Sequence, residues 1–176
     1  MSDLDFYAHI ATRGDVLGVG IGAQSAEWEA KLGAGYLDNR SQGLISRDYG
    51  LVELLFQEDE GAWPCMSISV QVHRMVGGET AVPQTLKDVY GDFAHRVRFD
   101  ELRSQIMRLG YSIEPDNDAS TTGDVNRYRV SESGARIFVV AEVDPYGCGD
   151  IDPGDPTQEQ VGDVWAISMS PAWWSA

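Results

Sequence analysis

The chain has 176 residues, the size of one domain, and 43% of them are hydrophobic and 10% aromatic, which supports a packed core and argues against disorder. Its 28 acidic and 13 basic side chains leave a formal charge of −15, which repels phosphate backbones and anionic lipid, so neither nucleic acid nor membrane is an expected partner. No apolar run approaches the roughly 20 residues of a membrane span. No secretory signal is visible, and Cys65 and Cys148 read as free thiols, so a cytoplasmic location is expected.

The opening MSDLDFYAHIATRGD is mixed and acidic, and no element is assigned to it. Gly18-Val-Gly20-Ile-Gly22-Ala23 matches a dinucleotide fingerprint letter for letter, with Asp38 downstream. However, barely any strand precedes it and no second βα unit follows, so the glycines read as a tight connection into the first helix. That helix is short. Ser25 can cap it, Glu27 faces Lys31, Trp28 and Leu32 share a side, and Gly33 stops it.

Strand signals follow at Gly43–Asp48, Leu51–Gln57 and Cys65–Met75, with Tyr49-Gly50 turning between the first two. In the third, Ile68, Val70 and Val72 alternate with Ser67, Ser69, Gln71 and His73, the pattern of an antiparallel strand with one wet face. A weaker helix spans Pro83 to Phe93. A clearer one carries the stripe Phe99, Leu102, Ile106 and Leu109, with acids at its start, Arg108 near its end and Gly110 as the stop.

Four more strands are expected: Tyr111–Glu114, Val125–Ser131, Arg136–Asp144 and Asp163–Ser170, with SESG as the hairpin between the middle pair. The third of these is apolar on most of both faces and reads as interior. In the last, Trp165 alternates with Ile167 and Met169 and reads as core. The order helix, Leu-Gly, Tyr, strands occurs twice. One domain over 1–176 is expected, built from pseudo-repeat halves 1–82 and 83–176. The fold class is α+β, with short helices on one face of a largely antiparallel sheet.

Reactive motifs are scarce. No G-x-S-x-G elbow occurs, and the histidines His9, His73 and His95 show no metal-ligand spacing. Cys65 and His73 on one extended strand lie roughly 27 Å apart at about 3.4 Å per residue, too far for a dyad. Asp150-Ile-Asp152-Pro-Gly154-Asp155 faintly resembles a calcium loop, but its glycine is one place early and Val161 stands where the closing glutamate belongs. The small basic cluster Lys87, His95, Arg96, Arg98, Arg103 and Arg108 reads as ordinary surface charge, some of it pairing with Asp100, Glu101 or the acids of the 144–163 stretch. That stretch holds six acids, no basic residue, and enough Gly and Pro to exclude a helix or a central strand, so it is expected to be a long loop. Beyond it, Trp173 and Trp174 follow Pro171 as an aromatic pair.

The stretches LGVGIGAQSAEWEAKLG, RDYGLVELLF and SISVQVHRM resemble small cytosolic proteins of actinobacterial type found as immunity proteins beside polymorphic toxins. Their order also resembles the helix-plus-sheet repeat of the beta-lactamase inhibitor protein, without that secreted inhibitor's paired cysteines. The resemblance implies a stoichiometric protein inhibitor and not an enzyme. The expected function is therefore a cytoplasmic immunity protein that blocks a cognate toxin without any cofactor or metal. A basic, nucleic-acid-directed toxin fits best, because opposite charge accelerates encounter to about 10⁸–10⁹ M⁻¹s⁻¹ at low salt. Asp144, Asp150, Asp152, Asp155 and Glu159 are the candidate charge-matching residues, and Trp173 and Trp174 the aromatic anchors. The alternative is a small-ligand or metal-dependent enzyme using the 144–163 loop.

Overall fold

The computed structural model describes residues 1–116, 123–143, 155 and 157–171. The chain opens with a helix, α1 (Asp3–Arg13), where none is expected. Its start is a capping box: the Ser2 hydroxyl accepts from Asp5 N, and the Asp5 carboxylate accepts from Ser2 N at 2.7 Å. Phe6, Tyr7, Ile10 and Ala11 bury one side of it, and Gly14 ends it in the left-handed region.

A small hairpin of β1 (Asp15–Val16) and β2 (Val19–Gly20) uses the glycine-rich connection. Next comes α2 (Ser25–Leu32), whose cap is Gln24 and not the expected Ser25. The Glu27 carboxylate accepts from Gln24 N at 2.7 Å, and Gln24 Oε1 accepts from Trp63 N at 2.8 Å, so the helix start is tied both to itself and to a distant loop.

Four strands follow: β3 (Leu37–Ser41), β4 (Leu44–Asp48), β5 (Val52–Gln57) and β6 (Cys65–Val70). β3 is mostly exposed, so it lacks the apolar alternation that reveals a strand in sequence. β6 is shorter than expected. After Val70 the chain turns through Gln71 into a 3-10 helix (Val72–Gly77), still burying Val72 and Met75. The second half contributes α3 (Gln84–Tyr90), α4 (Phe99–Arg108), β7 (Ile113–Pro115), β8 (Val125–Val130), β9 (Arg136–Val140) and β10 (Val164–Met169).

The fold is α+β. The eight strands β3 to β10 form one antiparallel sheet in the order β3-β4-β5-β6-β10-β9-β8-β7. That order is two four-strand meanders joined through their last strands, β6 and β10. The helices bury their apolar sides with one face of this sheet: Phe6, Tyr7, Trp28, Leu86, Leu102 and Ile106 share a core with Ile45, Leu54, Ile68, Val70, Ile137 and Ile167. Among the described residues no helix is long and apolar enough to cross a membrane.

A polar tie and a tight glycine turn brace this core. Arg47 is buried, its guanidinium 3.8 Å above the Tyr36 ring. It donates to both oxygens of Asp38 at 3.0 and 3.2 Å and to the Ser25 carbonyl at 3.0 Å, holding β4 to β3 and α2. Gly50, between β4 and β5, has φ 94, and a Cβ there would lie 2.4 Å from the Ala81 carbonyl oxygen, so glycine is required twice over.

Candidate functional site

Residues paired across a sheet share a face, so the register maps the side opposite the helices. One row runs Asp48, Glu53, Ser69, Ser168, Arg136, Arg129 and Glu114. A neighbouring row holds Ser46, Leu55 and Ser67. Phe138 pairs with Ala166 and Arg127 on the same side. Small serines thus occupy the middle of the face, and no α-helix among the described residues packs on it.

Most charges on this face are already paired. Arg74 reaches from the 3-10 helix to Asp48 at 3.1 Å and Glu53 at 3.1 Å, and Gln71 also donates to Glu53. Arg127 and Arg136 converge on Asp116 at 3.1 and 3.3 Å. One corner differs. A cleft of about 350 Å³ lies at the ends of β8, β9 and β10, lined by Asp124, Phe138, Val140, Glu142, Glu159 and Trp165 with two further valines. None of its three carboxylates has an ion-pair partner among the described residues. The Oδ1 of Asp124 is shut off from solvent and accepts no hydrogen bond among the described residues. Burial, reinforced by the charge of Asp163, pushes the Glu159 carboxyl above its usual range.

Trp165 is in this cleft because of a β-bulge. The pairing of β10 with β9 slips between Val164 and Ala166, so Val164, Ile167 and Met169 are buried while Trp165 leaves the series. This corrects the expectation that Trp165 is core: simple alternation across the bulge gives the wrong side. Its indole stacks on His73 with centroids 4.1 Å apart and planes 4° apart. His73 Nδ1 donates to the Trp165 carbonyl at 3.1 Å. Burial, with the nearby Arg74 charge and against that hydrogen bond, lowers the His73 pKa and favours the neutral ring.

The expected site residues separate. Asp144, Asp150, Asp152, Trp173 and Trp174 lie outside the described residues. Asp155 is described, and its carboxylate is spent locally on the Thr157 hydroxyl at 2.7 Å and the Thr157 backbone N–H at 2.9 Å, which lower its pKa. Glu159 lines the cleft. Asp163, the last acid of the 144–163 stretch, is buried and structural. It accepts from Arg96 at 2.7 and 3.0 Å, from Arg98 at 2.9 Å and from Gln160 N at 2.9 Å. Arg96 and Arg98 are therefore more than scattered surface charge: they pin the turn that carries Glu159. Asp124, Phe138, Glu142 and Trp165 were not among the site residues expected from sequence, since no local pattern joins residues from two strands and the turns beside them.

A larger cleft of about 510 Å³ lies on the helical side, lined by Asp5, His9, Arg13, Asp15, Tyr90, Gln105 and others. Its acids serve the local fold. Asp5 caps α1 and accepts from Gln105, and Asp15 accepts from Gly18 N and meets His9 Nε2 at 2.9 Å. Cys65 is buried with its thiol pushed up to about 12 by burial, far from a nucleophile's range. Among the described residues no three ligating side chains come together around one metal position. No protein-family model, curated protein or solved structure matches this chain.

Proposed function

We propose that this protein is a cytoplasmic immunity protein, a stoichiometric inhibitor that seats a cognate toxin on the face of the sheet opposite its helices. The face on which no α-helix of the described residues packs carries the reading. Eight strands present a broad surface with small serines at its centre, Leu55, Phe138 and Trp165 as apolar contacts, and unneutralised carboxylates at one corner. An interface needs such a combination: apolar area that packs, and charge that selects and steers the partner. The formal charge of −15 favours a basic partner. The resemblance of the first 75 residues to immunity proteins and to an inhibitory helix-plus-sheet repeat points the same way.

The test is a growth assay. The chain is co-expressed with the C-terminal domain of a candidate polymorphic toxin, and rescue is scored for wild type, Ser69→Arg and Ser168→Arg on the open face, and Lys31→Glu on α2. Rescue by wild type and Lys31→Glu, with loss in both arginine variants at unchanged thermal stability, supports the reading. Equal rescue by all four places the contact elsewhere and overturns it. Catalytic turnover of a substrate by the purified chain would also refute the inhibitor role.

A further inference from the structure

The corner cleft is unlike the rest of the face in three independent ways. Elsewhere on this face Asp48 and Glu53 pair with Arg74, and Asp116 pairs with Arg127 and Arg136, while Glu114 makes no ion pair among the described residues. Here Asp124, Glu142 and Glu159 line one cavity of about 350 Å³ and make no ion pair among the described residues, the guanidinium of Arg127, 5.9 Å from the Phe138 ring centroid, being spent on Asp116. Secondly, Asp124 is half-buried and its inner oxygen, Oδ1, is closed to solvent and accepts from no donor among the described residues, so its charge is left to be balanced from the cleft side. Thirdly, two aromatic rings line the same cavity, and one of them, Trp165, is held in place by the His73 stack and the Nδ1 hydrogen bond.

The chemistry missing from the cleft is positive charge with several donors. A divalent ion needs convergent oxygens, and no such convergence exists among the described residues. A compact ammonium concentrates its charge at one point and is strongly hydrated. A guanidinium spreads five N–H donors over a plane, sheds water more easily and stacks on aromatic rings, so it can serve carboxylates that stand apart around an aromatic lining. Charge complementarity therefore selects one occupant. We infer that the cleft formed by Asp124, Glu142, Glu159, Phe138 and Trp165 receives an arginine side chain of the partner protein. The inference rests on the proposed use of the open face and names the anchor at its corner.

The cleft can be tested without the partner. The probe is N-acetyl-arginine amide, titrated into the purified chain and followed through the indole N–H signal of Trp165, assigned with Trp165→Phe. N-acetyl-citrulline amide, which has the same shape without the charge, is the control on the unaltered protein. A saturable shift of the Trp165 signal in the millimolar range is expected with the arginine probe. The citrulline probe should bind at least ten-fold more weakly. Asp124→Asn and Glu159→Gln, each checked for an unchanged circular dichroism spectrum, should each weaken the arginine probe several-fold. No shift, or an equal shift with citrulline, overturns the inference and leaves the growth assay on Ser69→Arg and Ser168→Arg to judge the open face. Arginine-probe binding together with full rescue by those two variants would instead keep the cleft and sink the inhibitor reading.

Discussion

Replacing Asp163 by asparagine removes one charge from a site where the side chain is 3% exposed and two arginines donate to it. Three of its four hydrogen bonds come from guanidinium groups, at 2.7, 3.0 and 2.9 Å, and the fourth from Gln160 N at 2.9 Å. Hydrogen bonds to charged groups contribute about 1.5–3 kcal/mol each and neutral ones about half that. Asparagine keeps one acceptor and turns an NH₂ toward a guanidinium. Breaking a fully buried ion pair costs about 3–5 kcal/mol. Arg96 and Arg98 are 22% and 42% exposed, so water recovers part of that loss. The expected destabilisation is about 2–3 kcal/mol, which for a chain of this size lowers the melting temperature by roughly 5–10 °C. Urea denaturation followed by circular dichroism measures it, read as a lower midpoint at unchanged slope. A double-mutant cycle with Arg96→Gln should return a coupling of at least about 1 kcal/mol. A loss below about 0.5 kcal/mol, or coupling near zero, would place this cluster with ordinary surface ion pairs and refute the claim that it pins the Glu159 turn.

Four other outcomes follow from single residues. Gly50→Ala should cost more than about 2 kcal/mol in the same urea assay, because it combines a left-handed φ with a collision at the Ala81 carbonyl that also receives Leu51 N–H; a neutral result would mean that the turn can move. Tyr7→Phe should stabilise by about 1 kcal/mol, since the Tyr7 hydroxyl is buried with no hydrogen bond among the described residues; a lower midpoint would mean that the hydroxyl has a partner after all. The Cys65 thiol, pushed up to about 12 by burial, holds its proton in the folded state after the unfolded chain has lost it. Its contribution to stability is therefore complete below about pH 9 and is lost as pH rises toward the folded value; iodoacetamide at pH 8 should spare native Cys65 and modify it in urea, and fast native labelling, read by peptide mass spectrometry, would contradict this. His73 behaves in the opposite sense. Its folded pKa is lowered, so the stability it confers is present above its unfolded value near 6.5 and lost as pH falls below that. His73→Phe should therefore flatten the fall in urea midpoint between pH 7 and pH 5, and parallel profiles would remove His73 from the account.

Local chemistry was enough for much of the architecture. The α+β class, α2 and α4 with their glycine stops, the apolar alternation of β5 and β6, the interior place of β9 and the SESG hairpin all come from neighbouring residues, because helix and strand periods and turn residues act over a few positions. α1 was equally local, in its Ser2–Asp5 capping box and Phe6-Tyr7-Ile10-Ala11 side, but its acids make it read as mixed composition. Tertiary structure alone decided the rest. It ended β6 at Val70, where Val72 and Met75 could be buried as well from a 3-10 turn as from a strand. It put the bulge before Ala166 that turns Trp165 away from Ile167 and Met169, and a bulge is one extra residue in one strand, visible only against its partner. It sorted acids of similar appearance into the buried Asp163, the self-satisfied Asp155 and Glu159, which has no ion pair among the described residues, because what a carboxylate does depends on which cation the fold brings to it.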